Sequence, residues 1–151
     1  MSVSLVDPAI ASFPRLVPAS IAKSGSSPRI LVADDDPRIL ATVASFLTKA
    51  GFAVQKAADG EEAMQAIAGD PDISLLVTDF SMPEMSGATL ISEAIHVRPH
   101  LRALLMTGYP NAEGLARLPS DVPVLVKPFR RTEFLAKIDC LADEIREAEQ
   151  V

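Results

Sequence analysis

The sequence predicts a doubly wound α/β sandwich, and three observations lead there. Four apolar runs, Ile30 to Ala33, Ile73 to Val77, Leu101 to Met106 and Val122 to Val126, are near-continuous rather than alternating, as strands buried on both faces of a parallel sheet must be. Stretches with apolar residues at helical spacing lie between them, so strand and helix alternate along the chain. Each run closes on a polar station: Asp34-Asp35, Asp79, Thr107 and Lys127. In open α/β sheets ligand chemistry gathers at the carboxyl ends of the strands, so these four segments are expected to meet in one crevice.

The elements follow in order. A strand at 29–34 leads into Asp36-Pro37, a helix start with proline at the first helical position. Ile39, Leu40, Val43, Phe46 and Leu47 then recur at helical spacing until Gly51 ends the helix. Phe52 to Lys56 reads as a short second strand, and Asp59 caps a helix that turns Ala63, Met64 and Ile67 inward until Gly69-Asp70-Pro71. The third strand runs to Asp79, and the loop Phe80 to Ser86 opens a helix with Leu90, Ile91, Ala94 and Ile95 on one face, ended by Pro99. After the fourth strand, Gly108-Tyr109-Pro110-Asn111 makes a loop and a weak helix is expected over 112–118. The fifth strand ends at Lys127, and a final helix from Arg130 carries Phe134, Leu135, Ile138, Leu141 and Ile145. Five strands and five helices are expected, with no internal repeat.

A chain of 151 residues with 48% hydrophobic content supports one core. Residues 1–28 carry Pro8, Pro14, Pro18, Pro28 and the Ser24-Gly25-Ser26-Ser27 cluster, which read as a flexible N-terminal extension ahead of a domain at 29–151. The formal net charge is −6, with no basic stripe, which argues against nucleic acid as a partner. No apolar run reaches the ~20 residues of a spanning helix. Met1 to Ala11 lacks a basic start and an unbroken apolar stretch, so neither membrane nor export is expected. The single cysteine, Cys140, forms no internal disulfide and reads as a small hydrophobe on the last helix; a cytoplasmic location is the expectation.

Three carboxylates at one sheet edge repel: each pair near 4 Å costs about 1 kcal/mol in water and about 4 kcal/mol at an effective dielectric of 20. The cluster calls for a cation, and oxygen ligands with no soft donors favour Mg²⁺ over zinc. Lys127 adds a compact charge on a flexible stem, its backbone kept extended by the following Pro128, and Thr107 adds a hydroxyl with Gly108 leaving room beside it. Carboxylate, metal, ammonium and hydroxyl together make a phosphoryl-transfer site with Asp79 as acceptor. Taken singly, the same residues have plainer roles: Asp34-Asp35-Asp36 as strand end and helix cap, Asp79 as a loop cap, Lys127 as a solvated strand end.

The runs Ile30-Leu31-Val32-Ala33-Asp34-Asp35-Asp36-Pro37, Leu76-Val77-Thr78-Asp79-Phe80-Ser81-Met82-Pro83-Glu84-Met85-Ser86-Gly87, Met106-Thr107-Gly108 and Val126-Lys127-Pro128-Phe129 resemble, in this order, the receiver domain of the bacterial two-component response regulator family. The resemblance covers residues 29 to about 146. It implies a flavodoxin-like fold with sheet order 2-1-3-4-5 and a phosphorylated Asp79. It also implies Mg²⁺ held by Asp34, Asp35, Asp79 and the backbone carbonyl of Ser81, with Thr107 and Lys127 on the phosphoryl oxygens and a cis Lys127-Pro128 bond. The implied partners are a sensor histidine kinase or histidine phosphotransfer protein, docking near the first helix, and an unknown downstream protein. Output would pass through protein contact or phosphorelay rather than a DNA-binding module, from a monomer or a phosphorylation-dependent dimer.

Two departures stand out. Ser86 replaces the Asp common before the loop glycine, and Val124 replaces an aromatic often found three residues before the lysine. The usual coupling of a threonine shift to an aromatic rotation is therefore in doubt, and Tyr109 is a candidate gate in its place. The Thr107-Gly108-Tyr109 run is similar to that of single-domain regulators and of receivers attached to hybrid histidine kinases. Ser81 and Tyr109 are candidates for setting phosphoryl lifetime. His96 and His100 are expected to face solvent, and Met82 and Met85 to pack near the site. The alternatives are a degenerate receiver that binds without phosphorylation, and a phosphatase of the haloacid dehalogenase type. The latter's Asp-x-Asp is supplied by Asp34 and Asp36, but Arg38 stands where that family has threonine.

Overall fold

The structure, a computed structural model, describes residues 28–149. The extension assigned to residues 1–28 lies, apart from Pro28, outside the described residues. Strand β1 (Arg29–Ala33) is followed by α1 (Pro37–Lys49), β2 (Ala53–Ala57), α2 (Gly60–Gly69), β3 (Ile73–Asp79), α3 (Gly87–Val97) and β4 (Arg102–Thr107). A 3₁₀ helix (Glu113–Arg117), β5 (Val124–Val126) and α4 (Arg131–Glu149) complete the domain. All pairings are parallel, in the order β2-β1-β3-β4-β5, which is the expected 2-1-3-4-5 arrangement.

Alternate residues of the central strands feed two separate cores, because successive side chains of a strand point to opposite faces; the one break is at the start of β3, where the pairing with β1 skips Ser74 and leaves Ile73 on the same side as Leu76. Leu31, Ala33, Ile73, Leu76, Ala103 and Leu105 pack with Ala63 and Ile67 of α2 and Leu90, Ile91 and Ala94 of α3. Ile30, Val32, Leu75, Val77, Leu104 and Met106 pack with Val43 and Leu47 of α1 and Phe134, Ile138 and Leu141 of α4. Covering both faces is what the near-continuous apolar runs require.

The helix starts are capped as the sequence signals. Asp36 accepts the Arg38 N–H at 2.9 Å ahead of Pro37, and Asp59 accepts the Glu62 N–H at 2.8 Å. Ser86, at the position where Asp is common, does the same for Thr89 at 3.2 Å, so the departure preserves the cap. Gly51, at φ 98°, lets the chain turn out of α1 while Phe52 N–H returns to the Leu47 carbonyl.

The count of five helices is corrected: the described residues form four α-helices, and the helix expected over 112–118 is the short 3₁₀ helix Glu113–Arg117. Pro110 and Pro119 bracket the segment, Gly114 weakens its middle, and Leu118 is held extended at ψ 143° before Pro119. Leu115 and Leu118 still reach the α2–α3 core. Strand β5 is shorter than its apolar run, because Pro123 and Pro128 crowd it. His96 and His100 are exposed, as expected, and Cys140 lies exposed on α4 rather than packed as a small hydrophobe.

Arg98 has a role that no local pattern signals. Its guanidinium donates to the carbonyls of Ile67, Asp70 (3.0 Å) and Ile73 (2.8 Å), closing the open end of α2 and fixing it to the start of β3. The residue stands just after α3, so one side chain fastens three elements at the pole opposite the carboxyl ends of the strands.

Candidate functional site

Strand register assembles the site. Ala33 pairs with Thr78, Asp79 with Met106, and Thr107 with Val126, so Asp34, Asp79, Thr107 and Lys127 all leave the sheet at one edge. One carboxylate oxygen from each of Asp34, Asp35 and Asp79 lies within 4.8 Å of the others. Lys127 Nζ donates to Asp79 Oδ1 at 2.6 Å and stands 4.0 Å from Asp34 Oδ2. Asp34, Asp79 and Thr107 are buried, and Asp35 is exposed. The Lys127-Pro128 bond is cis.

The backbone around the acids is closely tied. Asp34 N–H donates to the Ala57 carbonyl at 3.1 Å, and Asp34 Oδ1 accepts Asp36 N–H at 2.9 Å. Phe80 N–H donates to Met106 O at 2.8 Å, and Lys127 N–H to Thr107 O at 2.7 Å. The Thr78 hydroxyl donates to Asp79 O at 3.0 Å and sits 3.9 Å from Met82 Sδ, so Met82 packs beside the site as expected. The loop returns through Gly87, whose N–H donates to Phe80 O at 2.8 Å. A Cβ there would lie 2.1 Å from the Asp79 carbonyl oxygen. The motif marks this glycine, and its reason is the close approach of two backbones.

Asp34 Oδ2 is buried without a hydrogen-bond partner. Burial is the largest influence on this carboxyl and raises its pKa above the ordinary 3.8; Asp36 N–H opposes it, while Asp79 adds to it. An orphaned carboxylate oxygen facing two further acids fits a hard divalent cation with oxygen ligands, Mg²⁺ being the natural member of that class.

A pH dependence follows. Below 3.8 Asp34 is protonated in both folded and unfolded chains and contributes nothing. As the pH rises past that value the unfolded chain releases its proton first, so the native state loses stability until Asp34 ionises there too. Without divalent ions, Asp34→Asn is expected to melt higher than wild type at pH 7, with a gap larger than at pH 4. Thermal melts at the two pH values check this, and a gap independent of pH would count against it.

The remaining sequence candidates lie outside the acidic cluster. Ser81 and Gly108 are exposed, and Tyr109 is 69% exposed. The Thr107 hydroxyl accepts Tyr109 N–H at 2.9 Å. Val124, half-buried on β5 beside Leu105, packs against the α2–α3 core, and no aromatic ring stands at that position.

The sequence profile of the response regulator receiver domain matches residues 30–139. The chain belongs to the response regulator receiver family. This receiver is 33% identical over 117 residues to the response regulator receiver protein CpdR of Brucella abortus, covering 74% of this chain and 93% of that one. It is 35% identical over 111 residues to the sensor kinase CckA of the same organism, covering 70% of this chain but only 11% of that protein. Among solved structures, a CheY-like receiver from Methanospirillum hungatei superposes with a TM-score of 0.73 at 30% identity, covering 82% of this chain and 98% of the other. The response regulator TrrA of Thermotoga maritima, solved in complex with Mg²⁺ and BeF, matches at TM-score 0.67 and 26% identity, covering 76% of this chain and 98% of that one. The receiver is a signalling module with a flavodoxin-like sheet and an acidic cluster at the strand ends. No helix of its described residues is long and apolar enough to cross a membrane.

Proposed function

We propose that this receiver takes a phosphoryl group from a phosphohistidine onto Asp79 in a Mg²⁺-dependent reaction, and signals by protein contact or phosphorelay. The observation that carries this reading is the convergence of Lys127 Nζ, 2.6 Å from Asp79, with the buried, half-unpartnered Asp34 and with Asp35. Asp34, Asp35, Asp79 and the Ser81 carbonyl would hold the metal, which supplies charge neutralisation at the phosphoryl oxygens when bound. An Asp79 carboxylate oxygen attacks phosphorus in line, the P–N bond breaks, and the imidazole leaves with its electron pair. Lys127 offsets the charge that develops and Thr107 supplies a hydroxyl to the transferred group.

The acyl phosphate brings about −1.5 to −2 charges where the carboxylate had one. It draws the Thr107 hydroxyl toward itself and away from Tyr109 N–H, which releases the loop after β4. With valine at 124, Tyr109 rather than a β5 aromatic carries the change outward, and Ser81 and Tyr109 flank the path of hydrolytic water. The change reaches partners through the face of the 3₁₀ helix, β5 and α4, where Tyr109 and Val126 are exposed. The donor docks beside α1: a hollow of about 470 Å³ lined by Ile39, Thr42, Val43, Phe46, Pro128 and Phe129 opens next to Lys127. The domain occupies 29–151 and works in the cytoplasm with a sensor histidine kinase or histidine phosphotransfer protein.

Incubation with acetyl phosphate and Mg²⁺, followed by intact-mass measurement, tests the reading. Wild type is expected to gain one base-labile phosphate and Asp79→Asn none. Equal gain in both, or no gain in either with Mg²⁺ bound, would overturn it in favour of another acceptor or of a phosphorylation-independent binding module. Steady phosphate release from added monoesters would select the phosphatase.

A further inference from the structure

A second concave surface lies on the α2–α3 side of the molecule, apart from the acidic crevice. A groove of about 410 Å³ runs between the start of α2, the β3–α3 loop and α3. Its apolar lining is Met64, Pro83 and Met85, and its charged lining is Asp59, Glu61, Glu84 and Glu93, with no Lys, Arg or His. Met85 is seated on the bare backbone of Gly60, where a Cβ would come within 2.7 Å of its sulfur. Glu84 is held at φ 70°, in the left-handed region that non-glycine residues seldom adopt.

Two further facts narrow the occupant. Glu61, Glu84 and Glu93 form no ion pair with any described residue. The acids also do not converge as a metal site: among the described residues the single three-carboxylate cluster close enough for an ion is Asp34, Asp35 and Asp79. Separated carboxylates around methionines, which are polarizable and adaptable, complement cations spaced on either side of an apolar side chain. Nucleic acid and anionic lipid are repelled by the same acids. We propose that the groove docks a basic segment of a partner protein, with Lys or Arg flanking an apolar anchor that enters between Met64 and Met85. The docking needs no modified Asp79.

The test uses a fluorescein-labelled peptide alternating lysine and leucine, a lysine–serine counterpart, and anisotropy on the full chain. The lysine–leucine peptide is expected to bind, weaken with added salt, and lose at least fivefold in affinity to Glu61→Gln/Glu93→Gln. The lysine–serine peptide is expected to bind at least fivefold more weakly. Asp139→Asn/Glu147→Gln on α4 removes the same charge from elsewhere on this −6 chain and is expected to change affinity less than twofold. Melting curves confirm that both double variants are folded. Equal losses in the two double variants, or equal binding of the two peptides, would overturn the proposal in favour of general attraction to an acidic protein. If Arg15→Gln/Lys23→Gln in the full chain raised probe affinity fivefold while Arg131→Gln/Lys137→Gln on α4 did not, the chain's own N-terminal segment would be the occupant, and the proposal of an external partner would fail.

Discussion

Gly87→Ala is expected to destabilise the receiver by about 3 kcal/mol, because the added methyl has nowhere to go. Its carbon would sit 2.1 Å from the Asp79 carbonyl oxygen and 2.9 Å from both the Asp79 carbonyl carbon and Leu105 Cδ1. Two of these atoms are backbone, so no rotamer change relieves the contact. The end of β3 or the start of α3 must move, and either breaks the Gly87 N–H bond to the Phe80 carbonyl. In a domain of this size the melting temperature should fall by roughly 10 °C. Thermal unfolding monitored by circular dichroism checks this, and a shift under 2 °C would show that the two backbones are not so closely opposed. Protein that survives folding should also phosphorylate poorly, since the displaced peptide is that of Asp79, the proposed acceptor.

Lys127→Ala is expected to separate two roles of the ammonium. It lies 2.6 Å from Asp79 Oδ1, where in the proposed reaction it opposes the negative charge of the transferring group, and 4.0 Å from Asp34 Oδ2. Removal should slow phosphorylation by acetyl phosphate about 10²–10³-fold, the usual cost of deleting one preorganised charge or donor from a transition state. Mg²⁺ binding should move the other way and tighten about tenfold. One unit charge near 4 Å is worth about 1 kcal/mol in water and about 4 kcal/mol at an effective dielectric of 20, and here a cation is being removed from beside another cation's ligands. Titration calorimetry without phosphodonor measures the second effect. Weaker Mg²⁺ binding in the variant would mean that Lys127 organises the acids rather than competing for them.

Sequence carried the sheet and the acidic crevice because both rest on local signals with strong physical causes. The strand runs are near-continuously apolar since both faces are covered, and their polar ends are fixed in space once the strands are parallel and paired. The helix starts at Asp36 and Asp59 read directly, because each cap is a short-range hydrogen bond to a residue two or three positions on; the Ser86 cap emerged only in the structure. The segment between Pro110 and Pro119 was harder. Its Leu115 and Leu118 imitate helical spacing, while proline and glycine limit it to one tight turn. The role of Arg98 and the reason for Gly87 were illegible for another cause: their partners are backbone atoms of distant or sharply folded segments, which leave no mark on neighbouring letters. Likewise the groove beside Met85 depends on the shape of one loop.

The sorting of alternate strand residues into two cores, broken once between Ile73 and Leu75, makes strand length the least negotiable quantity in this chain. A residue inserted between Ser74 and Leu75 would send Leu75 and Val77 toward the partners of Leu76, and would turn the Asp79 carboxylate, the proposed acceptor, away from Lys127 in the same stroke. Natural or engineered variation in length must therefore fall in the turns between elements.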